Sequence, residues 1–110
     1  MESVSLDQAR ELVASHEVVV VDLRDEDGWL EGHIPGAYRG EGEDPDSALE
    51  GVPDDRRLLV VCEDGERSAA MAEGLEGRRE AVVLEGGMRA WLSDGLPSQP
   101  TEDFEPDQRG

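Results

Sequence analysis

Three short apolar runs punctuate the chain: Val18-Val19-Val20-Val21, Leu58-Leu59-Val60-Val61 and Ala81-Val82-Val83-Leu84. Continuous apolar runs of this length, as opposed to alternating ones, predict strands buried on both faces. Between them the period changes. Leu6, Ala9, Leu12 and Val13 recur at helical spacing behind Ser5-Leu6-Asp7-Gln8, a capping-box pattern, so a helix is predicted from Ser5 to Ser15. Shorter helical pieces are predicted around Glu26 to Glu31, from Asp44-Pro45 toward Leu49, from Ser68 as N-cap to Leu75, and from Met88 to Ser93. Gly32-His33-Ile34-Pro35-Gly36-Ala37 and Gly86-Gly87 predict turns, and residues 40–47, mostly glycine and acid, predict a solvated loop. Strands alternating with helices predict an α/β fold, a small parallel sheet flanked by helices on both faces.

A length of 110 residues fits one domain, expected over residues 1–97, followed by an acidic, flexible tail over 98–110 that carries Pro100, Pro106 and four acids. Charge changes the picture more than length does. The chain holds 28 acidic and 10 basic residues, a net charge of −18, and all ten basic residues are arginine. Such a surface repels phosphate backbones, so nucleic acid is excluded as a partner. The valine-rich runs argue against disorder, and the missing lysine resembles proteins of salt-loving archaea, where molar salt screens self-repulsion. No apolar run reaches the ~20 residues of a membrane span. Met1-Glu2-Ser3-Val4-Ser5 has neither a basic nor an apolar region, so a cytoplasmic location is expected. One cysteine and two separated histidines make no disulfide and no zinc pattern, and no metal or cofactor is expected.

The lone cysteine carries the chemistry. Cys62 follows the second predicted strand, and Glu63, Asp64, Gly65 and Glu66 separate it from Arg67 and Ser68. A strand, a tight loop and a helix in that order can aim several backbone N–H groups at one point, stabilising a thiolate or an anionic atom attached to it. Gly65 permits a backbone conformation that a side chain would resist. Asp22 and Arg24 end the first predicted strand on the same side of the sheet and read as a structural pair, while His33, in its turn, reads as a structural hydrogen-bonding residue.

Taken together, Asp22-x-Arg24, the segment Gly32 to Ala37, Cys62-x4-Arg67-Ser68, and Leu84-x-Gly86-Gly87 with Trp91, Gly95 and Pro97 resemble a single rhodanese domain, over residues 5–97. The resemblance implies a sulfurtransferase whose Cys62 accepts a sulfane sulfur as a persulfide and passes it to a thiol, cyanide or protein acceptor. It also implies that Arg67 closes the loop and adds positive charge near the sulfur. The partners implied are a small-molecule sulfur donor or a persulfide-bearing protein, with a thioredoxin-like or sulfur-carrier protein as acceptor. Two departures from the family pattern matter. Gly28 stands where the family often has glutamate, so an ion pair expected for Arg24 is missing, and Glu63, Asp64 and Glu66 work against an anionic donor such as thiosulfate. The first alternative is a non-enzymatic sulfur-carrier or redox-sensing domain built on the same loop. A cysteine-dependent phosphatase fits less well, because related phosphatases place five residues between cysteine and arginine and this chain places four.

Overall fold

The computed structural model describes residues 2–40 and 45–95. The expected domain end at Pro97, the tail over 98–110 and residues 41–44, half of the acidic loop, lie outside them. The elements run β1 (Glu2–Val4), α1 (Leu6–Ala14), β2 (Val18–Asp22), α2 (Glu26–Glu31), β3 (Tyr38–Arg39), α3 (Pro45–Ala48), β4 (Arg57–Val61), α4 (Glu66–Gly74), β5 (Ala81–Leu84) and α5 (Gly87–Ser93). The five strands pair in parallel in the order β1-β5-β4-β2-β3.

The three apolar runs form the buried centre of that sheet. Their side chains divide by parity between two cores, because successive residues of a strand point to opposite faces. Val18, Val20, Leu59, Val61, Val82 and Leu84 pack with Ala9, Ile34, Met88 and Trp91 on the face covered by α1 and α5. Val19, Val21, Leu58, Val60 and Cys62 pack with Ala48, Met71 and Leu75 on the face covered by α3 and α4. The capping box is present as predicted: the Gln8 amide donates to Ser5 Oγ at 3.2 Å, and the Ser5 amide donates to Gln8 Oε1 at 3.0 Å.

β1 and β3 were not visible in the hydrophobic pattern. They are edge strands of three and two residues, and of these only Val4 is buried. Pairing creates them: β1 lies along Val82–Leu84, and β3 lies along Val21–Asp22. The chain leaves β2 outward to β3, then returns through β4 on the opposite side of β2. The boundary between β2 and β4 is therefore the switch point at which parallel α/β sheets leave a crevice beyond their carboxyl ends. Arg24 and Cys62 sit just past those two ends.

Candidate active site

Cys62 is the first residue beyond β4. Two amides at the start of α5 hold the backbone there, Met88 N donating to the Cys62 carbonyl at 2.7 Å and Arg89 N to the Glu63 carbonyl at 3.0 Å. These belong to the first turn, whose N–H groups have no partner inside the helix. The approach is close enough to forbid a side chain at Gly87. Its φ is +64°, and a Cβ there would lie 2.6 Å from both carbonyl oxygens. With its carbonyls turned toward α5, the loop presents amides to the sulfur.

Gly65 N lies 3.1 Å and Ser68 N 3.3 Å from Cys62 Sγ, each donating to it. Ser68 Oγ lies 3.2 Å from the same sulfur, a contact in which either atom can be the donor, and donates to the Gly65 carbonyl at 3.2 Å. Gly65 reaches this geometry at φ +101°, a left-handed conformation costly for any residue with a Cβ. Among the described residues, two of the loop's backbone amides meet the thiol sulfur itself. The Glu66 amide is drawn to Asp64 Oδ1 at 3.0 Å instead.

This arrangement corrects the reading of Ser68 as a helix cap. α4 begins at Glu66 behind Gly65, with no side-chain cap bond, and Ser68 is the third helical residue. Its buried hydroxyl faces the thiol, and its place in the first turn is what brings its amide there. Arg67 departs from the implied loop-closing role: it lines the cleft, and its exposed side chain forms no hydrogen bond or ion pair among the described residues. The loop is held by α5 and by Asp64.

Cys62 is 1% exposed and lies behind a cleft of about 440 Å³. Cys62, Glu63, Asp64, Glu66 and Arg67 line it from the loop, and Arg24 and Asp25 from beyond β2. Asp22 and Arg24 form the expected buried pair. Arg24 Nε donates to Asp22 Oδ1 at 3.0 Å, and Nη2 donates to Asp22 Oδ2 at 2.8 Å and to the Gly32 carbonyl at 2.7 Å. The turn after α2 is thereby tied to the end of β2. His33 stacks on Trp29 with ring centroids 3.5 Å apart, and its Nδ1 lies 3.0 Å from the Trp29 carbonyl. Its ring does not line the cleft. Burial is the main cause that lowers its pKa below the ordinary histidine value.

Gly87 is the site residue that the sequence did not disclose. Its glycine pair read as a turn, which it is, but the turn also fixes the cysteine loop. Among the described residues no group of His, Cys, Asp and Glu is arranged to hold a metal ion, and no helix is long and apolar enough to cross a membrane.

Comparison with known proteins agrees with this geometry. The thiosulfate sulfurtransferase GlpE of Shewanella oneidensis is 33% identical over 89 residues, covering 79% of this chain and 88% of that protein. Among solved structures, a rhodanese-related protein from Thermoplasma volcanium superposes with a TM-score of 0.81 at 24% identity, covering 92% of this chain and all of the other. A Rhodopseudomonas palustris protein of unknown function, described as a possible tyrosine phosphatase, superposes at 0.77 with 29% identity, covering 90% of this chain and 85% of that one. The rhodanese-like domain family itself matches residues 5–94, the whole span from the capping box of α1 to the end of α5, and this chain belongs to it.

Proposed function

We propose that this protein is a sulfurtransferase that takes up a sulfane sulfur on Cys62 as a persulfide and hands it to a nucleophilic acceptor. The observation that carries the reading is the convergence of the Gly65 and Ser68 amides and the Ser68 hydroxyl on one sulfur atom. The two amides, fixed in advance at that point, stabilise negative charge on the thiolate and on a sulfur added to it. The first step is nucleophilic. Cys62 S⁻ attacks the outer sulfur of the donor, a new S–S bond forms, and the donor's own S–S bond breaks with its electron pair leaving on sulfite or a thiolate. In the second step an acceptor thiolate, cyanide or a protein nucleophile attacks the terminal sulfur and regenerates Cys62.

The similarity to proteins named thiosulfate sulfurtransferase supports thiosulfate as one donor. The cleft's acids, Glu63, Asp64 and Glu66, favour persulfide delivered by a partner protein over a free dianion at low salt. The net charge of −18 and the absence of lysine fit a medium of concentrated salt, and a lone free thiol fits a reducing cytoplasm. Phosphate transfer is disfavoured by the four-residue spacing and by those same acids.

The test is intact mass in high potassium chloride after incubation with thiosulfate or a persulfide donor. Native protein gains one sulfur, and Cys62→Ser gains none while keeping its fold. Retention of the added sulfur in Cys62→Ser, or release of phosphate from an aryl phosphate with no sulfur uptake, would sink the reading. Multiple turnover with cyanide marks an enzyme; loading without turnover marks the carrier alternative.

A further inference from the structure

The amino end of the sheet, opposite Cys62, carries a groove that the sulfur chemistry does not use. β3 pairs only with Val21 and Asp22, so among the described residues no strand lies beside the first half of β2 on that side. A groove of about 510 Å³ opens there, walled by Val13 of α1, Val18 and Val20 of β2, Pro35 and Tyr38. Tyr38 is the one exposed large apolar side chain among the described residues, at 41%. His16 and Arg56 supply the polar groups of the wall. His16 follows the C-cap of α1 at φ +61°, and it is the only described residue other than glycine with a positive φ. Glycine is usual at that position, and any residue with a Cβ is strained there.

Beside the groove lies the main concentration of positive charge. Arg56, Arg57, Arg78 and Arg79 are four of the ten arginines in a chain of net charge −18. The sheet gathers them: Leu58 N donates to the Glu80 carbonyl at 3.0 Å and Leu58 stands opposite Ala81, so both arginine pairs meet at the amino ends of β4 and β5. They line one hollow of about 350 Å³ with Asp54, Asp55 and Glu80. Those acids engage them loosely. Arg56 Nε lies 3.4 Å from Asp55 Oδ1, and Arg57 Nη1 lies 3.8 Å from Glu80 Oε2. Arg56 Nη1 reaches the His16 and Val18 carbonyls only at 3.4 and 3.5 Å. Arg78 pairs with Asp46 at 2.9 Å, and Arg79 Nη2 donates to the Pro53 and Arg56 carbonyls. Arg56 borders both the groove and the hollow, so an apolar slot and a cationic rim are continuous.

The chain itself holds a segment of matching chemistry. α5 starts against the Cys62 loop and packs back over the sheet, with Met88 and Trp91 in the core beside Val18 and Val82, so Gly95 leaves the fold toward the amino end. Residues 96–110 follow and include Glu102-Asp103-Phe104-Glu105, the chain's single phenylalanine set among acids. Nine residues separate Gly95 from Phe104, a reach of up to about 30 Å, roughly twice the length of a five-residue strand. The geometry points to an intramolecular docking in which Phe104 fills the groove between Val13, Pro35 and Tyr38, while Asp103 and Glu105 pair with Arg56 and Arg57 at its rim. Ring burial supplies a contact that salt does not screen, and the guanidinium–carboxylate pairs set its orientation. The tether raises the effective concentration of this segment over any free acidic peptide. Part of the tail that the sequence alone predicts to be flexible is thereby tied to the pole opposite the active site, whatever reaction that site performs.

The experiment attaches a nitroxide at residue 108 of the full chain, in Cys62→Ser combined with Gln108→Cys, and reads amide intensities by NMR. The His16, Gly36, Tyr38 and Arg56 amides are expected to lose more than half their intensity, while Gly65 and Glu66 at the opposite end keep theirs. No loss, or equal loss over the whole surface, overturns the docking. Adding Phe104→Ala, which alters no described contact, is expected to restore at least half of the lost intensity; an unchanged pattern overturns the role of the ring. A mixture of nitroxide-bearing protein without isotope and isotope-labelled protein without nitroxide is expected to show no loss. The same loss in that mixture seats a second copy in the groove and overturns the intramolecular assignment.

Discussion

Replacing Gly87 with alanine tests whether the close approach of α5 to the cysteine loop sets the site. Two costs are expected, and they can be separated. The first is backbone strain, since Gly87 has φ +64° and a left-handed conformation costs an L-residue about 1–2 kcal/mol. The second is collision. The new Cβ would lie 2.6 Å from the Cys62 and Glu63 carbonyl oxygens, which cannot retreat without lengthening the bonds from Met88 N and Arg89 N. Overpacking of this kind costs about 1–3 kcal/mol. Gly77 supplies the control: its φ is +81°, but a Cβ there meets nothing within 4 Å. Gly77→Ala thus carries the strain alone, and the difference between the two variants isolates the collision. Urea unfolding with a constant slope measures stability, and single-turnover sulfur uptake on Cys62, read by mass, measures the site. Gly87→Ala is expected to be less stable than Gly77→Ala by about 1–3 kcal/mol. It is also expected to take up sulfur at least tenfold more slowly, because a shift of the carbonyls re-aims the Gly65 and Ser68 amides. Equal stability and equal uptake in the two variants would refute the claim that this contact positions the loop.

Two further outcomes follow from charge. Glu63→Gln combined with Glu66→Gln is expected to raise kcat/KM for thiosulfate several-fold at low salt and to change it little in molar salt, where the Debye length is about 3 Å; equal values at both salt concentrations would show that these exposed acids do not oppose the donor. His33, whose pKa burial lowers, binds its proton more weakly when folded than when unfolded. Its contribution is complete above the unfolded value and is lost as pH falls from there through the folded value, so native stability declines below about pH 6.5. His33→Asn is expected to flatten that decline in melting temperature, and parallel pH curves for the two proteins would remove His33 as the cause.

What the sequence discloses and what it hides divide along a physical line. The central strands are legible because Val18–Val21, Leu58–Val61 and Ala81–Leu84 are buried on both faces and must be apolar throughout. Ser5 and Gln8 are legible because a capping box is local. β1 and β3 are not, since Glu2, Ser3, Tyr38 and Arg39 take strand geometry only from partners distant in sequence. Ser68 was misread for a related reason. Its type fits an N-cap, but Gly65 has already started the helix, and the hydroxyl answers to Cys62 across the loop. Gly87 carried a faint signal, a glycine pair directly after a strand, yet its reason is a contact with Cys62 and Glu63 that only the fold creates. For Arg24 the missing acidic partner at Gly28 was visible in the sequence; that Nη1 would be buried without a hydrogen-bond partner was not.

The acids at the cleft and the donors beneath them act over different distances, which decides how they can coexist. Glu63, Asp64 and Glu66 are exposed, so water and salt stand between them and a bound anion. At 4 Å in bulk water a pair of unit charges interacts by about 1 kcal/mol, and screening reduces this further. The Gly65 and Ser68 amides act at 3.1 and 3.3 Å on a sulfur that is 1% exposed, where little solvent intervenes. On the proposed function, the outer charges therefore govern which donors arrive and how that depends on salt, while the inner N–H groups govern whether a transferred sulfur stays. An exterior this rich in carboxylates can be laid over such a site without dismantling it, because the amides that meet the Cys62 sulfur are backbone and survive the exchange of nearly every surface side chain.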